Sequence, residues 1–333
     1  MSVFVIAEAG SNHNRDIKKA FSLIDIARYA GADAVKFQTY SSETLYAKNT
    51  PDFAGYSNIN DLIKKIELPR EWQQTLKDYC DSCGIEFMST PFDEKAVEEL
   101  VNLGIKRLKI SGFESTDPRF VKMVASTGLP LIISAGIGHN LESISEIISW
   151  VSECQKNPDL TILHCNNAYP TPEEDIFLNM IDEILKEYPE IKVGLSDHTE
   201  NIITPALAVA KGAVCIEKHF TISRSLPGPD HPFAIEPYHL KEMIKGIRSA
   251  EIMCTNEGKS ISRSEIPFVN ALRSVVTTKE IKRGEKINTE NITTKRPFTL
   301  QAIPASKFYE ILGKTAKRDM AEDTCIELGD ISD

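Results

Sequence analysis

The chain has no apolar run approaching the roughly 18–20 residues that cross a bilayer, so it is not read as a membrane protein. Its first ten residues, MSVFVIAEAG, lack a positive n-region and a long apolar h-region, and no secretory leader is expected. Positive charge is in deficit. The 38 basic residues face 48 acidic ones, and a net charge of -10 excludes a general nucleic-acid binder. An anionic ligand would need a local basic pocket. Cysteine shows no disulfide framework: seven residues, an odd number scattered along the chain, fit reduced thiols in a cytoplasm. Cys80 and Cys83 form a CxxC with no second pair to complete a zinc site. The pair does not open a helix after a strand, as a redox pair would, and it reads as helix packing. No GxGxxG follows the first apolar run, which removes the usual dinucleotide-binding signature.

What is present is ordinary globular composition, 41% hydrophobic and 26% charged. A length of 333 residues exceeds a single core of about 250–300, so one large domain and one small one are expected. Eight apolar runs read as strands: Val3–Ala9, Ala34–Thr39, Glu86–Ser89, Arg107–Ser111, Leu131–Ala135, Thr161–Cys165, Lys192–Leu195 and Ala213–Lys218. Their interiors are nearly continuous in apolar residues, as in parallel strands buried on both faces. Helical periodicity lies between them, for example over Ile17–Tyr29, Glu71–Ser82, Glu94–Leu103 and Leu141–Glu153. Gly31, Gly84, Gly104, Gly128 and Gly212 stand where a helix would end. Eight βα repeats point to a (β/α)8 TIM barrel, with an open doubly wound sheet as the alternative. One connection, residues 40–69 with Tyr40, Tyr46, Phe53 and Tyr56, is long enough to overhang the catalytic face. The expected domains are a barrel over 1–255, a polar linker over 256–274 and a compact β-rich module over 275–333.

Barrel enzymes place their chemistry at the carboxyl ends of the strands. Here those ends carry Glu8, Lys36, Gln38, Thr90, Lys109, Ser111, Ser134, His164, Asn167, Ser196, His198, Glu217 and His219. A purely structural scaffold has no reason to collect them at one end. His198 and His219 close neighbouring strands, a pattern that for the pair favours one divalent metal, with two hydrogen-bonded histidines as the alternative. Lys36 and Lys109 interrupt apolar strands, where an unpaired ammonium is expensive. A bound phosphate or carboxylate would relieve them, with Thr90, Ser111, Ser134 and Ser196 as donors. Salt bridges to Glu8, Glu114 or Glu217 would do so too, and a Schiff-base lysine is a third possibility. The residues alone lead to a metal-assisted barrel enzyme acting on a phosphorylated or carboxylated small molecule.

The segments AEAGSNHN (7–14), GADAVKFQTY (31–40), STPFD (89–93), LHCNNAYPTP (163–172), GLSDHT (194–199) and IEKHFTISRSLPGPDH (216–231) resemble the bacterial sialic acid synthase family. That family includes N-acetylneuraminate, legionaminate and pseudaminate synthases. The resemblance spans the whole chain, and the tail from about 275 resembles the family's antifreeze-like (SAF) domain. It implies condensation of phosphoenolpyruvate with the open-chain aldehyde of an N-acetylmannosamine-type sugar, with loss of phosphate by C–O cleavage. It also implies a divalent metal, Mn2+ first and Mg2+ or Co2+ as substitutes, held by His198 and His219. Lys36, Thr90, Lys109, Ser134 and Ser196 would bind phosphoenolpyruvate, and Glu8 would stand at the reacting carbons. Gln38, Asn167, Tyr169 and Asp230 would contact the acceptor. Arg296, from the other subunit of a domain-swapped homodimer, would meet its N-acyl group. Two departures stand out. The family's strand-four KIGSGE is here Lys109-Ile-Ser-Gly-Phe-Glu114, leaving either Ser111 or the backbone at Gly112 to hold phosphate. Its KRPG continues here as Phe298-Thr299-Leu300-Gln301, a bulkier segment that is read as favouring 2,4-diacetamido-2,4,6-trideoxymannose, the legionaminate precursor. Two readings compete: a pyruvate-dependent metal aldolase or Schiff-base lyase on the same barrel, and a carbohydrate-binding protein without catalysis.

Overall fold

The computed structural model describes residues 2–52, 55, 57–255 and 258–333. The chain divides into two compact units, residues 1–255 and 256–333.

The first unit contains eight parallel strands: β1 (Phe4–Gly10), β2 (Ala34–Thr39), β3 (Glu86–Pro91), β4 (Leu108–Ile110), β5 (Leu131–Ala135), β6 (Leu160–Cys165), β7 (Lys192–Asp197) and β8 (Cys215–His219). They pair in the order β3-β2-β1-β8-β7-β6-β5-β4, and β3 lies beside β4 to bring the ring almost to closure. This is a TIM-type barrel. Nine helices are described in this unit: α1 (Ile17–Ala30), α2 (Ile59–Ile66), α3 (Gln73–Cys83), α4 (Glu94–Asn102), α5 (Pro118–Ala125), α6 (Leu141–Cys154), α7 (Asn179–Glu187), α8 (Thr204–Ala210) and α9 (Pro237–Met253). Local chemistry sets their limits. Asp16 caps α1 by accepting from the Lys18 N–H, and Asn140 with Ser143 forms a reciprocal capping box on α6. Gly31 and Gly84 end their helices at φ 91° and 71°, a left-handed turn that other residues adopt only with strain.

Strand alternation sorts the side chains into two sets. Val5, Ala7, Val35, Phe37, Ile133, Val193, Leu195 and Ile216 belong to the main core with helix residues such as Leu23, Ile24, Leu76, Leu100 and Ile147. Ile6, Ala34, Met88, Ile132, Leu163 and Cys215, one position along, form a separate apolar plug inside the barrel. The residues two further on begin the polar end described below. All seven cysteines are free, with Cys80 buried on α3.

The connection over 40–69 is not structureless. It contains α2, whose Ile59, Ile63 and Ile66 pack with Tyr40, Leu45, Tyr46 and Phe92 as a satellite core. The i, i+4, i+7 spacing of those isoleucines was the available signal. Phe53 and Tyr56 lie outside the described residues.

In the second unit, a 3₁₀ segment at Ile266–Ala271 breaks the connector. Strands β9 (Ser274–Thr277) and β10 (Ile292–Lys295) pair antiparallel, as do β11 (Thr315–Ala316) and β12 (Ile331–Ser332). Val275, Ile281, Ile287, Ile292, Ile303, Ile311, Met320 and Ile326 give the unit its own core. Two 3₁₀ turns, Ala305–Lys307 and Tyr309–Ile311, stand between the two strand pairs in sequence.

The plug leaves no spare volume. A Cβ on Gly194 of β7 would fall 2.2 Å from the Cys215 carbonyl oxygen and 2.6 Å from Leu163 Cδ2. Since backbone must move to admit it, Gly194→Ala is expected to destabilise the barrel by about 1–3 kcal/mol. A lower urea midpoint checks this, and an unchanged midpoint contradicts it.

Candidate active site

The polar end of the barrel is a cavity lined by Glu8, Lys36, Gln38, Thr90, Phe92, Lys109, Ser111, Gly112, Ser134, Cys165, Asn167, Tyr169, Ser196, His198, Glu217 and His219. Register explains the convergence. Glu8 of β1 is level with Lys36 of β2 and His219 of β8, Gln38 with Thr90, and Ser196 with both Cys165 and Glu217.

Two lysines and two carboxylates form its floor. Lys36 Nζ lies 2.6 Å from Glu8 Oε2 and 3.5 Å from Glu217 Oε2, and donates to Thr90 Oγ1 at 2.8 Å. Lys109 Nζ donates to Ser134 Oγ at 2.8 Å and to the Ile110 carbonyl at 3.0 Å, with Glu217 Oε1 at 3.6 Å. Ser196 Oγ donates to Glu217 Oε1 at 3.1 Å, and Gln38 Nε2 to Glu8 Oε1 at 2.8 Å. All four charged groups are buried. Burial opposes ionisation of each, and their neighbours decide the outcome. Burial lifts the Glu8 carboxyl above the usual carboxylate range, with Lys36 only partly offsetting it. Glu217 goes the other way, because Lys109 and Lys36 together outweigh its burial. Lys36 is raised, the two carboxylates overcoming burial, whereas for Lys109 burial prevails and its ammonium is easier to deprotonate.

Above this floor stand two imidazoles with ring centres 5.5 Å apart. Burial depresses His198 to about 4 and His219 to about 3, so both are neutral near pH 7. His198 Nδ1 donates to the Asn166 carbonyl at 2.6 Å, which leaves its Nε2 with a free lone pair. His219 Nδ1 is buried without a hydrogen-bond partner, and Asp230 Oδ2 stands 3.9 Å away. Tyr169 packs its ring 4.3 Å from His198, and Phe233 lies 5.2 Å from His219. Asp230 is fixed by the Ser11 N–H and hydroxyl at 3.2 and 3.0 Å. Gly10 permits this approach: a Cβ there would lie 2.8 Å from Asp230 Oδ2, and its φ is +49°. Among the described residues no three His, Cys, Asp or Glu side chains are gathered to hold a metal. The two imidazoles nonetheless suit one, since both are neutral and one buried nitrogen lacks a partner. Water or ligand oxygens would have to complete the coordination.

Asn167 is held by close backbone approach. Its Oδ1 accepts from the Ile137 N–H at 3.0 Å, and its Nδ2 faces the Tyr169 hydroxyl at 3.4 Å. A Cβ on Gly136 would sit 1.8 Å from that Oδ1, and one on Gly112 2.8 Å from it. Ser111 also lines the cavity, but its hydroxyl contacts the Glu114 carboxylate and accepts from the Phe113 N–H at 3.2 Å.

The structure therefore brings together Glu8, Lys36, Gln38, Thr90, Lys109, Ser111, Ser134, Asn167, Tyr169, Ser196, His198 and His219, with Asp230 beside His219. Arg296 belongs to the second unit, next to β10. His164 faces away from the cavity, its Nε2 bonded to the Ile176 carbonyl at 2.6 Å. Sequence reasoning gave no role to Phe92 or Cys165, and it gave Glu217 a specific role only as a salt-bridge partner. The available signal was that Glu217 shares the strand face of His219 while Lys218 takes the other.

With this geometry in view, likeness to known proteins acquires meaning. The chain matches the NeuB family over residues 23–259 and the SAF domain over residues 273–332. It is 38% identical to an N,N'-diacetyllegionaminic acid synthase of Legionella pneumophila, across 98% of this chain and 94% of that protein. A pseudaminic acid synthase of Campylobacter jejuni is 36% identical, across 98% and 96%. The crystal structure of an N-acetylneuraminic acid synthetase from Leptospira borgpetersenii, in complex with citrate, superposes with a TM-score of 0.74 at 32% identity, covering 81% of this chain and 91% of that one. The chain belongs to the NeuB family, and its second unit is a SAF domain.

Proposed function

We propose that this protein is a nonulosonic acid synthase, a transferase that joins phosphoenolpyruvate to the open-chain aldehyde of an N-acylated mannose-type sugar. The observation that carries the reading is the floor of the cavity. Two buried ammonium groups, Lys36 and Lys109, are ringed by the hydroxyls of Thr90, Ser134 and Ser196, an anion-binding set with neutral imidazoles directly above.

In this reading Lys36, Thr90, Lys109, Ser134 and Ser196 hold the phosphate and carboxylate of phosphoenolpyruvate, with Ser111 or the Gly112 backbone beside them. Gln38, Asn167, Tyr169 and Asp230 orient the acceptor. C3 of the enol forms a bond to the aldehyde carbon, whose oxygen takes up a proton. Water adds to the cationic C2, and the C–O bond to phosphate then breaks, releasing inorganic phosphate and leaving a 2-keto acid. Glu8, whose carboxyl is raised by burial, would in its ionised form steady the charge at C2 and take a proton from the incoming water. His198 and His219 would hold a divalent metal, Mn2+ or in its place Mg2+ or Co2+, which when bound supplies Lewis-acid polarisation of the aldehyde. Arg296 would reach the N-acyl group from the partner in a swapped homodimer, and the enzyme would work in the cytoplasm. The legionaminic acid synthase relatives and the Phe298-Thr299-Leu300-Gln301 segment support 2,4-diacetamido-2,4,6-trideoxymannose over N-acetylmannosamine as acceptor.

The direct test is phosphate release from phosphoenolpyruvate with Mn2+, comparing these two sugars with no acceptor. Release that depends on an acceptor, faster with the trideoxy sugar, is expected. Faster release with N-acetylmannosamine overturns the acceptor assignment. No release from folded, Mn2+-loaded protein overturns the synthase reading and returns weight to a pyruvate aldolase. His198→Ala should abolish metal-dependent turnover, and turnover retained in chelated buffer contradicts the metal assignment. Lys109→Ala should raise the KM for phosphoenolpyruvate by the loss of a charge-assisted contact worth about 1.5–3 kcal/mol, or roughly 10- to 150-fold. An unchanged KM would leave Lys109 as a salt-bridge residue alone.

A further inference from the structure

On the reverse face of β7, which His198 follows, and β8, which ends in His219, lies a second buried ion pair, separate from the cavity. Lys218 Nζ lies 2.6 Å from Asp197 Oδ2, and it donates to the Thr199 carbonyl at 2.6 Å and the Thr199 hydroxyl at 3.4 Å. Asp197 and Lys218 are register partners across β7 and β8, and both are buried. Asp197 Oδ1 also accepts from the Thr199 N–H at 2.9 Å. The Thr199 hydroxyl continues to Thr204 Oγ1 at 3.4 Å, at the first residue of α8. One ammonium thus ties the residues on both sides of His198 to the residue before His219.

Other outward positions of these strands are apolar, Val193 and Leu195 on β7 and Ile216 on β8. An ion pair among them is a poor source of stability, because desolvation cancels much of its attraction. Its value lies in geometry, since it accepts one arrangement of the two strand ends where apolar packing accepts several. We propose that Lys218 and Asp197 are positioning residues that set the separation and orientation of His198 and His219 for a shared divalent cation. The proposal rests on the metal reading of those two histidines.

Lys218→Met alone would leave the Asp197 carboxylate buried and unpaired. The test therefore uses the double variant Lys218→Met/Asp197→Asn, in which the amide still accepts from the Thr199 N–H. If it does not fold, Asp197→Asn alone, which keeps the hydrogen-bonding shape, is measured in its place. Mn2+ affinity is followed by electron paramagnetic resonance and phosphoenolpyruvate affinity by calorimetry, both on full-length protein whose far-UV circular dichroism matches wild type. The expected result is a loss of about 10–100-fold in Mn2+ affinity, with phosphoenolpyruvate affinity unchanged. Unchanged Mn2+ affinity overturns the clamp. So does a parallel loss of both ligands, which means general loosening of the barrel end. Wild-type protein that binds no Mn2+ overturns the metal reading itself, and the clamp with it.

Discussion

Four charged side chains that do not reach water, Glu8, Lys36, Lys109 and Glu217, govern how this barrel is organised. Each alone would cost several kcal/mol to bury. Together they are tolerable because the nearly closed ring of strands holds opposite charges within 2.6–3.6 Å and supplies a hydroxyl or carbonyl for most remaining donors. The set is not balanced. Glu217 sits between two ammonium groups and stays ionised, whereas burial holds Glu8 partly protonated. The floor thus gathers two lysines in a protein whose overall charge is -10. A local cluster of this kind is what would let an acidic protein hold an anionic ligand.

The period of two along each strand converts this constraint into layers. Glu8, Lys36, Lys109 and Glu217 occupy the inward positions just past the plug of Ile6, Ala34, Met88, Ile132, Leu163 and Cys215. One more inward step along β2 and β8 reaches Gln38 and His219. Charges thus lie below and hydrogen-bonding groups and neutral imidazoles above, so a ligand with an anionic end and a neutral reactive end would have one sensible orientation. The apolar plug beneath denies water a route from the other side.

The strands and the barrel were legible because parallel strands buried on both faces have a simple signature. Lys36 and Lys109 stood out for the same reason, as charges inside apolar runs. Glu217 did not, because Glu217-Lys218-His219 reads as three polar residues in a row and only strand register shows that the middle one faces away. Helix α2 was obscured by its polar setting within the long connection, although its isoleucines had the spacing of a helix. Asn167 was legible as polar, but its fixed position was not: that depends on two glycines in other strand–helix connections, Gly112 and Gly136, contacts that no local pattern reveals.

The strand-four departure takes on a physical meaning from the same contacts. Where the family commonly has serine, this chain has Gly112, and a Cβ there would lie 2.8 Å from Asn167 Oδ1. The neighbouring Ser111 does not supply a free hydroxyl in exchange, since its oxygen is engaged by Glu114 and by the Phe113 N–H. Glycine at 112 therefore leaves the room in which the Asn167 carboxamide settles. The side-chain donors left on the floor are those of Lys36, Lys109, Thr90, Ser134 and Ser196, while Asn167 is held towards Tyr169 and the upper layer. A change in one strand end thus acts on both layers at once, because in a close-packed barrel interior no side chain has only one neighbour.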